Sequence, residues 1–132
     1  MTPKKFSEYH IVVLEDIDEL KHVNNIVYLQ LLQDLAIKHW SAIAPVEIVN
    51  SLKWVVKKHE IEYFFQAGLG DKLELVTWIE TLVGATSIRR YEVYLDEKPV
   101  VKASTLWVAI HPETMKPVRI PAGQLECYFF EV

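Results

Sequence analysis

The chain has 132 residues, of which 51% are hydrophobic and 24% charged, so length and composition predict a single globular domain over residues 1–132. The net charge of −4 argues against a nucleic-acid-binding protein that relies on phosphate contacts. No apolar run reaches the ~20 residues of a membrane-spanning helix, and no apolar segment follows Lys4 and Lys5 as in a signal peptide. Cys127 is the one cysteine, which excludes an intramolecular disulfide and suggests a buried thiol. We therefore expect a cytoplasmic protein with no membrane partner.

The predicted elements are one long helix and about five strands. A first strand over Phe6–Leu14 is rich in aromatic and β-branched residues and leads into an acidic loop. The helix is predicted from Asn25 to Ala42, where a narrow polar stripe interrupts an otherwise apolar surface, so most of that surface should be covered. The other predicted elements are a weak helix over Pro45–Leu52, strands over His59–Gln66, Lys72–Val83, Ser87–Asp96 and Pro99–Ile110, and a short piece, Pro117–Ile120, that pairs back.

Short turns join the later strands, which favours antiparallel neighbours in one sheet. A single sheet must bury one face, and the long helix is apolar nearly all round. Both requirements are met if a curved sheet wraps around the helix, which gives an α+β fold. The start of the helix and the acidic loop would then lie at the rim of the sheet.

The segment Asp16–Tyr28 concentrates the groups that could do chemistry. Two carboxylates, Asp16 and Asp18, precede His22, and two asparagines stand where the helix begins. A helix N-terminus carries partial positive charge and unpaired amides, and it suits an oxyanion. The alternative is structural: the carboxylates complement the helix dipole, and Asn24 and Asn25 only cap the helix. The residues alone leave both interpretations open.

The pattern Asp16-x-Asp18-x-x-x-His22-Val23-Asn24-Asn25-x-x-Tyr28 resembles the signature of the hotdog-fold acyl-CoA thioesterases of the 4-hydroxybenzoyl-CoA thioesterase type, a group that includes the plant acyl-carrier-protein thioesterases. The resemblance extends to later strands, namely Glu60–Tyr63, Gly70–Leu73, Thr77-Trp78 and Leu106–Pro112. It implies a hotdog fold, in which an antiparallel five-stranded sheet wraps around a long central helix. It also implies a thioester substrate and paired subunits with active sites at their interface.

The same resemblance implies roles for individual residues. Asp18 matches the catalytic carboxylate, which is a nucleophile in some members and a general base in others. His22 and Asn24 would position or polarise the thioester, whereas Asp16 is expected to hold the loop. The chain departs from the pattern at Leu20, where plant relatives carry Asn, and at Gln33, where some bacterial members carry Glu.

Four further residues are predicted to bind substrate. Asn25 lies at the helix start, where capping is the simpler role, and Tyr28 lies one turn into the helix, where core packing is the simpler role. Arg89 and Arg90 form a basic doublet that could contact the phosphates of CoA. No cofactor or metal is predicted, because the acidic loop lacks the spacing of a calcium loop and the zinc and phosphate-loop motifs are missing.

The sequence thus predicts hydrolysis of an acyl-CoA or acyl-carrier-protein thioester. One alternative is an enoyl-thioester hydratase or dehydratase of the same fold. Another is a non-catalytic acyl-thioester-binding protein, which Leu20 and Gln33 favour. Edge strands on the predicted sheet invite pairing, so we expect a homodimer or a dimer of dimers.

Overall fold

The computed structural model describes residues 1–131. The strands are β1 (Thr2–Pro3), β2 (Phe6–Ile11), β3 (Lys53–Tyr63), β4 (Lys72–Val83), β5 (Thr86–Leu95), β6 (Lys98–Ile110) and β7 (Phe130–Glu131), and the helices are α1 (Asn25–Ile43), α2 (Val46–Ser51) and α3 (Ala122–Phe129). A 3-10 turn, Leu14–Asp16, lies between β2 and α1. No helix in this part of the chain is both long and apolar enough to cross a membrane.

The main sheet has five antiparallel strands in the order β2-β4-β5-β6-β3, and β1 pairs with β7 in a separate small sheet. The order follows from short hairpins, β4 to β5 and β5 to β6, which place consecutive strands side by side. Gly84 has a φ of 61° in the first of these turns, a conformation that glycine adopts without steric penalty. The predicted α+β architecture is confirmed, and β2 and β3 are left as the two edges of the sheet.

Helix α1 packs one face against the sheet. The buried residues recur at helical spacing and contact inward-facing residues of β4, β5 and β6; they are Tyr28, Leu32, Leu35, Ala36, His39 and Trp40. The opposite face is not covered, since Ile26 and Ile37 are 73% and 56% exposed. The prediction that most of the helix surface is covered is therefore wrong for the single chain, because the sheet reaches only one side of the helix.

Helix α3 closes the far end of the core and was not predicted. It is short, and it buries only Leu125 and Phe129 against the second half of α1. The ring of Phe129 stacks on Trp40 with centroids 5.7 Å apart. Cys127 lies on the other face of α3 and is exposed, so the expectation of a buried thiol is wrong.

Strand β3 differs most from its prediction, which was a strand over His59–Gln66. It begins at Lys53 and ends at Tyr63, and its pairing with β6 shifts register between Val56 and Lys58. A bulge of this kind breaks the alternation of apolar and polar residues that marks a strand. The predicted first strand also ends earlier, at Ile11. The predicted return of the chain near Pro117 is confirmed as an isolated bridge to Ile110.

Candidate active site

The loop between the 3-10 turn and α1 is tightly closed. An antiparallel bridge joins Ile17 to Val23, and the amide of Asp18 donates to the carbonyl of His22 over 2.9 Å. Lys21 completes the turn with a φ of 65°, and its amide N–H donates a hydrogen bond to the carbonyl of Asp18 at 3.0 Å. This backbone geometry holds Asp18 and His22 next to each other.

The carboxylate of Asp18 is half-buried and fixed at one oxygen. Its Oδ1 accepts hydrogen bonds from the amides of Leu20 at 2.9 Å and His22 at 3.3 Å. Within residues 1–131 its Oδ2 makes no hydrogen bond. The side chain is thus oriented by the turn while one oxygen stays available to a water molecule or a substrate.

Asp16 ties the loop to the sheet. Its Oδ2 accepts from the amide of Val13 at 3.0 Å and lies 2.7 Å from Nε2 of His10, while its carbonyl accepts from the amide of Asn24. Burial alone would raise the pKa of Asp16, but the Val13 amide and the His10 imidazole outweigh it and lower the pKa. The expectation that Asp16 holds the loop is confirmed.

The cap of α1 is Asn24, whose Oδ1 accepts from the amide of Ile26 at 3.0 Å. Asn25 is the exposed first residue of the helix, so capping, its simpler predicted role, is wrong. The backbone N–H of Asn25 and the Nδ2 of Asn24 have no acceptor in the described part of the chain. Two donors are therefore available at the positive end of α1, beside the Asp18 turn.

The connection between β3 and β4 packs against the loop that carries Asp18 and His22. The carbonyl of Ala67 accepts from the amide of Val23 at 2.9 Å. A Cβ on Gly68 would lie 3.4 Å from the carbonyl oxygen of Lys21, so the two backbones are in close contact. Tyr28 packs beneath them in the core, as expected.

The Tyr28 hydroxyl is buried and makes no hydrogen bond of normal geometry in residues 1–131. Burial outweighs the effect of the nearby Ala67 backbone, which lowers the pKa of this hydroxyl. Burial is the main reason that the pKa of Tyr28 rises to about 12. The phenol is therefore neutral at physiological pH. Its position beneath the loop gives it a packing role whether or not it also meets the substrate.

The two arginines of the predicted phosphate contact lie on opposite faces of β5. Arg90 is exposed and pairs with Glu80 at 3.2 Å. Arg89 is 4% exposed, and its Nη1 lies 2.9 Å from Nδ1 of His39 and 3.1 Å from Oγ1 of Thr77. Arg89 does not fit a phosphate contact at the surface, because its guanidinium is inside the protein. The alternation of side chains along β5 is the sequence signal for the burial of Arg89, since residue 89 shares a face with the buried Tyr91.

A polar chain across the core was missed. Nε2 of Gln33 donates to Nε2 of His59 at 3.1 Å, and Nδ1 of His59 donates to Oγ1 of Thr105 at 2.8 Å. Burial lowers the pKa of His59, which keeps the ring neutral with that tautomer. The alternation along the strand puts His59 on the same face as Ile61 but gives no signal that Gln33 is its partner. In residues 1–131, no group of three or more His, Cys, Asp and Glu side chains is arranged to hold a metal ion.

Comparison with solved structures identifies the fold. A 1,4-dihydroxy-2-naphthoyl-CoA thioesterase from Synechocystis is 20% identical with a TM-score of 0.78, covering 95% of this chain and 96% of the other. A predicted thioesterase from Bacillus stearothermophilus is 17% identical with a TM-score of 0.84, covering 98% and 99%. The 12:0-ACP thioesterase from Umbellularia californica is 15% identical with a TM-score of 0.83, covering 97% and 51%, so the chain spans about half of its length.

No curated protein sequence matches the chain at a significant level. Its residues 3–128 match the family model described as the acyl-ACP thioesterase N-terminal domain. This match covers nearly the whole sequence and agrees with the structural similarity. The chain belongs to the acyl-ACP thioesterase family and has the hotdog fold.

Proposed function

We propose that this thioesterase hydrolyses an acyl-CoA or acyl-carrier-protein thioester at the turn that carries Asp18. Membership of the family supplies the reaction class. The observation that supports this location is the geometry of Asp18, whose Oδ1 is held by two backbone amides while Oδ2 is free. The turn stands directly before the N-terminus of α1, where negative charge is stabilised.

A thioester carbonyl is already electrophilic, and a thiolate is a good leaving group. The site therefore has to deliver an attacking oxygen and stabilise the charge that develops on the carbonyl. Oδ2 of Asp18 supplies the first function in one of two ways. It accepts a proton from a water molecule that attacks the carbonyl, or it attacks the carbonyl itself, expels the thiolate and forms a mixed anhydride that water then hydrolyses. The bonds from Leu20 and His22 fix the direction in which that oxygen points.

The start of α1 supplies the second function. The backbone N–H of Asn25 and the Nδ2 of Asn24 are donors with no partner in residues 1–131, and both residues stand at the N-terminal, positive end of α1. Removal of one such donor costs about 3–4 kcal/mol of transition-state stabilisation in other oxyanion holes. The imidazole of His22, adjacent to Asp18, protonates the departing sulfur or polarises the carbonyl.

We further propose that the protein works as a homodimer and that residues 1–132 form one domain. Edge strand β3 exposes Val55 and Val56, and exposed aromatic residues follow at its end. Beside the Asp18 turn, Leu20 and Ile26 are 69% and 73% exposed. Apolar side chains clustered around an unpaired strand edge mark a surface that a second subunit covers.

The experiment is release of free thiol from a panel of acyl-CoA and acyl-carrier-protein thioesters by the wild type, Asp18→Asn and Glu19→Gln. Glu19 is the matched control, because it is an exposed carboxylate in the same turn. We expect Asp18→Asn to lose thiol release by on the order of 10²–10⁴-fold, the usual contribution of a positioned base. Glu19→Gln should keep the wild-type rate.

The two alternatives give different results in the same assay. A hydratase would consume the double bond of an enoyl-CoA without releasing thiol. A non-catalytic binding protein would retain acyl-CoA on equilibrium dialysis and release no thiol from any thioester. Either result would exclude thioester hydrolysis at the Asp18 turn and favour the corresponding alternative function.

A further inference from the structure

A cavity of about 320 Å³ lies between α1, α2 and the inner face of the sheet. Its walls are mainly apolar and include the indole rings of Trp40, Trp54 and Trp107. The volume is in the range of small-molecule sites. Arg89 is one of the residues that line this cavity, and so is Lys53, which is exposed.

The charge on Arg89 is buried and has no anionic partner. None of the ion pairs of residues 1–131 involves Arg89, and no Asp or Glu lines the cavity. The two groups that Nη1 contacts, His39 and Thr77, are neutral, because burial lowers the pKa of His39 to about 3. Burial lowers the pKa of Arg89 itself only to about 10, so the guanidinium stays charged at pH 7.

The remaining nitrogens of the guanidinium, Nε and Nη2, make no hydrogen bond within residues 1–131. The nearby Tyr91 hydroxyl cannot serve as a counter-ion, because burial raises its pKa. A buried charge without a partner carries a large desolvation penalty. Nε and Nη2 are not among the fully buried atoms without a partner, so a ligand can reach them. A planar guanidinium with free N–H groups, in a residue that lines an apolar cavity, is suited to a bidentate carboxylate.

We propose that this cavity binds a ligand with an apolar body and a carboxylate, with the carboxylate on Arg89 and the body against the indole rings. The site is separate from the Asp18 turn. The α1 residues that line it, Ala36, Ile37 and Trp40, lie ~16–22 Å beyond Asn25 along the helix axis at 1.5 Å per residue. The ligand is either a free carboxylic acid or the far carboxyl of an acyl group, and its binding to Arg89 does not depend on thioester hydrolysis.

The test uses the full chain and octanoate as the probe, with octanol and octylamine as matched ligands. Binding is measured by calorimetry and by the fluorescence of the tryptophans that line the cavity. We expect octanoate to bind the wild type at least ~10-fold more tightly than either matched ligand, since a charge-assisted bidentate contact is the strongest available here. Arg89→Met should lose this preference, and Arg90→Met, which alters the exposed neighbour, should keep it.

A second variant tests the proposal independently if Arg89→Met does not fold. Lys53→Glu places a negative charge at an exposed residue that borders the cavity and should weaken octanoate binding several-fold while leaving octanol binding unchanged. Equal binding of octanoate and octanol to the wild type would overturn the proposal. So would an oligomer that dissociates in Arg89→Met while the wild type binds no octanoate, because a carboxylate of a second copy would then be the partner.

The source of the carboxylate is distinguished with two thioesters, hexadecanoyl-CoA and hexadecanedioyl-CoA, whose acyl chains are long enough to reach from the Asp18 turn to the cavity. Faster thiol release from hexadecanedioyl-CoA by the wild type, lost in Arg89→Met, assigns the site to the far carboxyl of the substrate. Equal release from both, with octanoate bound, assigns it to a free acid. If no thioester is hydrolysed, the proposed function fails while the octanoate measurement still decides this proposal.

Discussion

His39 should make the protein sensitive to mild acid. The side chain is 2% exposed and sits between the rings of Phe6 and Phe129, with centroid distances of 4.9 Å and 5.1 Å. Its Nδ1 accepts a hydrogen bond from Arg89, so no site is left there for a proton. Burial first, and the charge of Arg89 second, lower the pKa of His39 from 6.5 to about 3.

The direction of the effect follows from proton binding. Between the unfolded-state pKa of 6.5 and the folded-state pKa of about 3, the unfolded chain binds a proton that the folded chain does not. The free energy of unfolding therefore falls as the pH falls through this window. At a pH of about 4.5, roughly two units below the unfolded pKa, His39 alone should remove about 2–3 kcal/mol relative to neutral pH.

Urea denaturation at pH 7 and pH 4.5 measures this directly when the wild type is compared with His39→Gln. Glutamine keeps an oxygen that can accept from Arg89 but has no group that titrates. His39→Gln should be less stable at pH 7, because the ring packing is lost, yet should lose about 2–3 kcal/mol less than the wild type on acidification. Phe6→Leu is the control: it removes the stacked ring, keeps the imidazole and should retain most of the pH dependence. Equal acid losses in the wild type and His39→Gln would show that His39 does not cause the pH dependence.

The other predictions concern the start of α1 and the sheet edge. Asn24→Ala should lower the free energy of unfolding by about 1 kcal/mol through loss of the cap, measured by urea denaturation. Asn24→Asp should restore this stability but not thiol release, because a carboxylate caps the helix and cannot donate to an oxyanion; full activity in Asn24→Asp would contradict the donor role. Val56→Lys on edge strand β3 should convert a dimer to a monomer in light scattering, whereas Lys57→Glu should not; a dimer that persists in Val56→Lys would exclude this edge as the interface.

Much of the fold could be predicted because local signals agree with it. Strand β4 has the predicted bounds Lys72–Val83, since its alternation is regular and glycine turns flank it. The start of α1 was predicted to within a residue, because an asparagine cap and a long apolar run coincide there. The bulge in β3 and the short helix α3 were missed for the opposite reason. A bulge destroys period-two alternation, and a helix of eight residues that buries only two of them has little periodicity to detect.

The candidate site likewise combines residues that the sequence brings together with contacts that only the fold creates. Asp16, Asp18, His22 and Asn24 are close in sequence, so the motif alone brings them together. The contacts of Arg89 and of His59 join residues that are 50 and 46 positions apart, and only the register between strands and helix creates them. Sequence spacing does not show which partners these two side chains meet, and the prediction for Arg89, a contact to the phosphates of CoA, missed that it is buried.

The catalytic role of Asp18 is decided by kcat for thiol release by Asp18→Asn relative to Glu19→Gln, measured on the best thioester of the panel. We predict that kcat falls on the order of 100-fold or more in Asp18→Asn, with the fold intact by circular dichroism, and stays at the wild-type value in Glu19→Gln. An Asp18→Asn protein that hydrolyses the thioester at the wild-type rate would contradict the proposal that this carboxylate delivers the attacking oxygen.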